Sequence, residues 1–176
     1  MANTTPICDN PINTGFLSSS GFLFSIKKCP NVNFFAQVVN IPGLTLASAD
    51  SGNPFAKIRH EGDHIDFNEL EVTFKINEDM SNYMEIYNWI RQTGFPEKYE
   101  ERQEIEKYPI SSGLGLRSDI TIMILNNSKS AIFTCTVKDA FPVMLSDIEF
   151  NSTNQDTQYL TCRAMFMYTN YTLEKV

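Results

Sequence analysis

A strictly alternating run, followed at once by a short helix, constrains the fold of this 176-residue chain more than any other feature. Apolar side chains occupy every second position from Leu70 to Ile76, and polar side chains stand between them. A period of two predicts a strand with one face on a core and the other wet or against a partner. An apolar stripe at helical spacing then runs over Tyr83, Tyr87 and Ile90. The sequence therefore predicts a β scaffold covered by a helix.

The helix has recognisable start and stop signals. Asp79 or Ser81 is expected to cap its N-terminus, because both side chains can accept bonds from free backbone N–H groups. Gly94 is expected to end it in a left-handed conformation, and Pro96 forbids its continuation. These signals predict one short, sharply bounded helix.

The rest of the chain reads as strands and turns at short spacing. The predicted fold class is mainly β, an antiparallel barrel or sandwich with one packed α-helix, in a single domain over residues 21–176. Residues 1–20 are polar and turn-rich and are expected to form an extended N-terminal arm. Residues 49–64 are expected to form a long loop, and residues 97–118 a charged surface excursion. The further predicted strands are 21–26, 33–39, 119–125, 131–137 and 158–171.

Composition excludes several classes of function. The net charge is −7, with 14 Lys and Arg against 21 Asp and Glu. Tight nucleic-acid binding needs basic side chains that displace counterions from phosphates, so this balance argues against it, although DNA can slide past such a surface. No apolar run reaches about 18 residues, which predicts no membrane anchoring. The four cysteines share no C-x-x-C spacing, and free thiols are expected.

One short motif suggests a metal site. Residues 60–64 match H-E-x-x-H, the zinc-peptidase signature, in which a helix places both histidines on one face. Gly62 and Asp63 disfavour a helix, and the chain has no third histidine. We therefore predict no catalytic residues, no metal site, no cofactor and no enzyme. A zinc hydrolase using His60, Glu61 and His64 remains a distant alternative, which stoichiometric zinc and its loss on His60→Ala or His64→Ala would reveal.

Taken in order along residues 20–172, six segments resemble the tail tube protein family of contractile-tailed bacteriophages. Each segment is a loose match, and the strength of the resemblance lies in their order. The excursion at 97–118 departs from the repeating tube subunit, which leaves open a specialised relative at one end, such as a tube initiator on the baseplate or a completion protein. The matching segments are Phe35–Leu44, Phe67–Asp79, Asn82–Ile90, Asp119–Ile122, Phe133–Pro142 and Ser146–Phe150.

The resemblance implies a structural virion protein of the phage tail. Subunits of this family form hexameric rings whose sheets join into a continuous β-barrel, and the rings stack into a conduit for DNA ejection. The implied partners are further copies of the chain and other tail tube, sheath or baseplate proteins, with DNA passing through without specific binding. Assembly is expected in the host cytoplasm. A tube subunit of a related contractile injection or secretion system remains an alternative.

Two sets of residues are candidates for roles in such a tube. Glu69 and Glu71 lie on the predicted wet face of the alternating strand and are expected to face the channel and repel DNA. The 49–64 loop is expected to be the arm that reaches a neighbouring ring, with a loop folded on its own subunit as the alternative. The residues expected to form that assembly interface are Asn53, Pro54, Phe55, Ile58 and Arg59.

Overall fold

The computed structural model describes residues 15–52, 55–96, 99–108, 112–153 and 158–176. Nine strands and three helices follow one another in this part of the chain. They are β1 (Phe22–Ile26), α1 (Pro30–Phe35), β2 (Ala36–Val39), β3 (Leu44–Gly52), β4 (Lys57–Phe67), β5 (Leu70–Lys75), α2 (Ser81–Gly94), α3 (Tyr99–Glu106), β6 (Ser118–Leu125), β7 (Ala131–Leu145), β8 (Thr161–Met167) and β9 (Asn170–Lys175).

Seven of the nine strands form two antiparallel layers that share β7, and β3 and β4 form a separate two-stranded sheet. The first sheet has the order β1-β6-β7-β9, and the second has the order β2-β5-β8-β7. The N-terminal half of β7 pairs with β6 and β9, and from Phe141 onward the same strand pairs with β8. Asp139 lies at the change of sheet with a φ of 57°, which marks a local irregularity that bends a strand from one layer to the next. The predicted fold class, antiparallel β with a packed helix, is confirmed.

The core lies between the two layers and under α2. Alternate residues of β5 are buried, as the sequence predicts, and Leu70, Val72 and Phe74 are fully inaccessible to solvent. Helix α2 covers the core with Ile86 and Trp89, which are also inaccessible. Because each buried large apolar side chain contributes roughly 1.5–3 kcal/mol relative to exposure, these residues carry much of the stability of the domain.

The apolar face of α2 differs from the predicted stripe. Ile86 and Trp89 are buried, while Tyr87 is 39% exposed and stacks on Tyr83 with ring centroids 6.5 Å apart. The stacked pair lies at the margin of the core, with Tyr83 packed against it and Tyr87 exposed. Helix α2 ends at Gly94 as predicted, but both predicted end signals were wrong. The helix begins after Met80 without a side-chain cap, and Gly94 does not adopt a left-handed backbone.

Three strand predictions were wrong at their boundaries. The strand predicted at 131–137 is only the first part of β7, which continues to Leu145. Residues 33–39 were predicted as one strand, but the chain forms α1 up to Phe35 and only then enters β2. Pro30 favours this start because its fixed φ suits the first turn of a helix. Residues 158–171 were predicted as one strand, but the chain turns after Met167 and returns as β9 on the other sheet.

The two predicted loops are more ordered than expected. Residues 49–64 form most of the hairpin β3–β4, so the prediction of a loop was wrong there. The 97–118 segment contains α3, and its end is attached to the body because Lys28 Nζ donates to the Gly115 carbonyl. Residues 97–98 and 109–111 of this segment lie outside the described residues.

Only the end of the predicted N-terminal arm is described. Residues 15–20 are exposed and form neither helix nor strand, while residues 1–14 of the arm lie outside the described part. Among the described residues, none of the helices has the length and hydropathy that crossing a bilayer requires.

Candidate assembly surfaces

The hairpin β3–β4, which we call the arm hairpin (residues 44–67), projects from the body. Every residue of β3 is exposed, and β4 is exposed at all positions but one. Leu44 pairs with Phe67 and Leu46 with Ile65, and these four apolar side chains are 58%, 37%, 55% and 53% exposed, respectively. Contiguous exposed apolar side chains of this kind mark a surface that binds another protein.

A bulge at Gly62 shapes the arm hairpin. Leu46 pairs with Ile65 and Ser48 with Glu61, so β4 has two more residues than β3 between these pairs. A Cβ on Gly62 would lie 2.7 Å from the Ala47 carbonyl carbon and still closer to its oxygen. Since real Cβ atoms do not approach a backbone this closely, the bulge requires glycine at this position.

The tip of the arm hairpin carries a charged cluster and an exposed aromatic ring. Asp50 contacts both Lys57 and Arg59, the latter at 4.0 Å between Nε and Oδ1. Phe55 is 95% exposed at the tip, and Ile58 is 45% exposed on β4. The structure thus brings three of the five predicted interface residues together on the arm hairpin. The other two, Asn53 and Pro54, lie outside the described residues.

An aromatic cluster attaches the root of the arm hairpin to the body. The ring centroid of Phe67 lies 5.9 Å from those of both Tyr168 and Tyr171. Tyr168 donates its hydroxyl to the Asn68 carbonyl at 2.7 Å, and Tyr171 donates to the Pro42 carbonyl at 3.0 Å. Burial, and to a lesser degree Tyr171, raise the pKa of Tyr168 to about 12, so this hydroxyl remains a donor at neutral pH.

The sequence interpretation missed these two tyrosines. The prediction of one strand over 158–171 gave neither residue a role at the arm hairpin. The available signal was the cluster Tyr168-Thr169-Asn170-Tyr171, in which a turn-forming pair separates two aromatic residues. A turn at this point brings both rings to the end of the sheet from which the arm hairpin leaves.

The sheets of the described chain end in unpaired edges. The strand order begins at β1 and ends at β2, and each of these strands pairs on one side only. A cleft of about 760 Å³ lies beside both, and its lining includes Leu23, Phe34 and Val38. These side chains are 57%, 85% and 60% exposed. Exposed apolar edges are templates for pairing with another chain, and natural proteins rarely leave them uncovered.

The two carboxylates predicted to face the channel occupy different settings. Glu71 points away from the core on β5, where the Arg163 Nε lies 2.8 Å from its Oε1. Glu69 is exposed in the connection between β4 and β5, and its carbonyl accepts a hydrogen bond from Asn40. The outer face of the second sheet is therefore less acidic than the sequence alone indicated, because a neighbouring strand supplies the arginine.

The zinc-peptidase signature lies on a strand, and not on a helix. His60 and His64 both belong to β4, on either side of the bulge, and His64 Nδ1 contacts the neighbouring Asp63 at 3.4 Å. In the motif one helical turn brings the two imidazoles to one ion, and β4 does not supply this turn. No cluster of three or more potential ligands occurs in the residues that the structure describes.

The described residues thus form a two-layer β domain with an exposed hairpin, apolar sheet edges and a charged hairpin tip. The sequence matches the family of phage tail tube proteins over residues 12–174. The chain belongs to this family.

Individual relatives agree with the family. The tail tube terminator protein of Enterobacteria phage T4 is 25% identical over 168 residues, covering 90% of this chain and 89% of the relative. The baseplate structure of the anti-feeding prophage, six-fold symmetrised, contains a chain of the same fold with a TM-score of 0.61 and 16% identity, covering 93% and 97% of the two chains. The tube terminating cap of the same prophage gives a TM-score of 0.59 at 13% identity over both full chains.

Proposed function

We propose that this protein is a structural subunit at the end of a contractile tail tube, where it forms a hexameric ring around the DNA channel. The observation that carries the proposal is the exposure of the arm hairpin. Its apolar side chains on β3 and β4 have no core beneath them and are accessible to a neighbouring subunit. A contact between two different surfaces of neighbouring subunits is heterologous. It generates a closed ring when the rotation from one subunit to the next returns to the first, and a stack when it does not.

The sheet edges support a ring. The second sheet ends at β2 on one side and at the C-terminal half of β7 on the other. Pairing of β2 from one subunit with β7 of the next covers both edges and continues the sheet from subunit to subunit. The number six is supported by the six-fold symmetrised structure that contains a chain of the same fold.

The position at the tube end is supported by two of the relatives. The T4 relative is a tail tube terminator, and one structural relative is a tube terminating cap. The repeating tube subunit of a tail, or of a related injection system, is the second candidate, since the exposed hairpin and the free edges suit it equally. A terminator forms single rings, whereas a repeating subunit forms long tubes.

In such a ring the outer face of the second sheet lines the channel. Glu71 and its partner Arg163 then face the DNA as a neutral pair, and Glu69 adds a negative charge at the channel rim. A lining without excess positive charge lets DNA pass, because binding to phosphates requires the displacement of counterions by cations. Sheath or baseplate proteins then contact the opposite, outer surface.

Shortening the arm hairpin tests whether it drives assembly. Deleting residues 52–60 and joining the strands by a short turn should leave the two-layer body intact, because no part of the described hairpin tip belongs to the core. We expect the deleted protein to keep its far-UV circular dichroism and unfolding midpoint, yet to sediment as a monomer at concentrations where the full chain assembles. Unchanged assembly of the folded deletion variant would reject the role of the arm.

A further inference from the structure

A second cleft lies at the end of β5, next to the start of α2. It has a volume of about 650 Å³ and an aromatic lining in which Phe150 and Tyr159 are each 74% exposed. The Lys75 ammonium lies over the Tyr159 ring at 5.1 Å from its centroid. We call this the β5-end cleft, and its lining includes Phe35, Lys75, Glu78, Phe150, Gln158 and Tyr159.

The β5-end cleft and the arm hairpin lie at opposite ends of the second sheet. The arm hairpin joins the body immediately before Leu70, where β5 begins, whereas the cleft opens at Lys75, where β5 ends. The six residues between them span about 20 Å in an extended strand. Since β3 is exposed throughout, the arm does not fold back over its own body. A cleft at this end is therefore open to the arm of a different molecule.

The tip of the arm hairpin and the cleft share an apolar character and carry opposite net charges. The tip presents the Phe55 ring, and the cleft is lined by aromatic and aliphatic side chains. At the tip two cations, Lys57 and Arg59, share the carboxylate of Asp50, which leaves one net positive charge.

The rim of the cleft carries a net charge of the opposite sign. Glu78 lines the cleft and is exposed, and Asp79 follows it, also exposed. Lys75 is the cation among the lining residues, so these three side chains leave one net negative charge. Opposite charges around an apolar contact orient the two partners and select against wrong registers.

We infer that the β5-end cleft is the docking site for the arm hairpin of a second copy of this chain, with Phe55 seated among the aromatic residues and Arg59 beside Glu78. The inference rests on the proposed assembly and names the surface that receives the arm. Because the inserting group and the receiving cleft are different surfaces, the contact is heterologous, as a ring or a stack requires.

Site-directed cross-linking between two variants tests this directly. Both variants are full-length chains with Cys8→Ser, and the three described native cysteines are buried. One variant carries Ala56→Cys at the hairpin tip, and the other carries Gln158→Cys in the cleft. Ser25→Cys, exposed on the outer face of β1, replaces Gln158→Cys in the matched control. The variants are mixed, treated with a short bismaleimide and analysed as covalent dimers, while sedimentation velocity records assembly.

We expect covalent dimers between the Ala56→Cys and Gln158→Cys variants, none with the Ser25→Cys control, and loss of the product when Phe55→Ala is added to the first variant. Glu78→Lys should also weaken the product, and Arg59→Glu in the partner should restore it. Assemblies that sediment normally without the selective product would overturn this docking site and leave the proposed function standing. Absence of assembly in the unmodified chain would overturn both.

Discussion

Replacing Trp89 with alanine is expected to lower the free energy of unfolding by about 4 kcal/mol, within the range of large-to-small substitutions in cores. The side chain is 1% exposed, and its ring lies 6.1 Å from that of Phe166 across the core. Its Nε1 donates to the Leu116 carbonyl at 3.0 Å, and the Lys28 ammonium lies 4.8 Å from its ring centroid. Alanine removes all of these contacts at once and leaves a cavity. Urea unfolding followed by circular dichroism measures the loss.

Trp89→Phe is the matched control for this prediction. Phenylalanine retains an aromatic ring in the core but has no N–H for the Leu116 carbonyl, so it separates packing from the hydrogen bond. We expect a clearly smaller loss of stability than for alanine, of about 1–3 kcal/mol for the carbonyl left without its donor. If Trp89→Ala lowered the free energy of unfolding no more than Trp89→Phe does, the packing of α2 on the core would not stabilise the domain as described.

Gly62→Ala is expected to abolish assembly without unfolding the body. The added Cβ would lie 2.7 Å from the carbonyl carbon of Ala47, which belongs to the backbone of the opposite strand and has no freedom to rotate away. The two strands must separate or change register, which costs about 1–3 kcal/mol for an overpacked site. The arm hairpin then points in a different direction. Sedimentation velocity should show monomers, while the unfolding midpoint of the body stays that of the unmodified protein.

The same hairpin supplies the control for this substitution. A Cβ on Gly52 meets no atom within 4 Å, although Gly52 pairs with Lys57 in the same ladder. Gly52→Ala should therefore assemble as the unmodified protein does. If both variants lost assembly, the hairpin would be sensitive to any added side chain and not to the bulge in particular. Normal assembly of Gly62→Ala would contradict the role given to the bulge.

The alternating strands of the body were predictable from sequence because burial on one side leaves a period of two. Leu70, Val72 and Phe74 are buried as predicted, and the hairpin β6–β7 has the predicted turn at residues 126–129. The course of β7 was not predictable in this way. Asp139-Ala140-Phe141-Pro142 looks like a break, yet the strand continues through it and changes partners. The change of pairing partner depends on β6, β8 and β9, so no local sequence pattern marks it.

The arm hairpin was harder to predict for a physical reason. Its strands have no core beneath them, so selection for burial imposes no regular alternation on residues 49–64. Polar residues and glycines consequently dominate, as they do in loops. Phe55 and Ile58 are apolar side chains in this otherwise polar segment, and together with Arg59 they were predicted as contact residues. The β5-end cleft was not predicted, since Phe35, Phe150 and Tyr159 are distant in sequence.

Glu69 and Glu71, both predicted to face the channel, differ in their electrostatic surroundings. Glu71 forms an ion pair with Arg163, whose side chain is 56% exposed. Exposed pairs of this kind contribute less than about 1 kcal/mol, so the pair matters for the charge of the surface and little for stability. The sequence could not show the pairing, because it depends on the register in which Thr73 opposes Arg163.

Electron cryomicroscopy of the purified, concentrated protein at neutral pH tests the central claim most directly. We expect six-fold rings in which the arm hairpin of each subunit contacts a neighbour and the outer face of the second sheet lines the channel. Single rings would agree with a subunit at the end of the tube, and long tubes with a repeating subunit. A field of monomers at every concentration, or rings with the arm hairpin free in solvent, would contradict it.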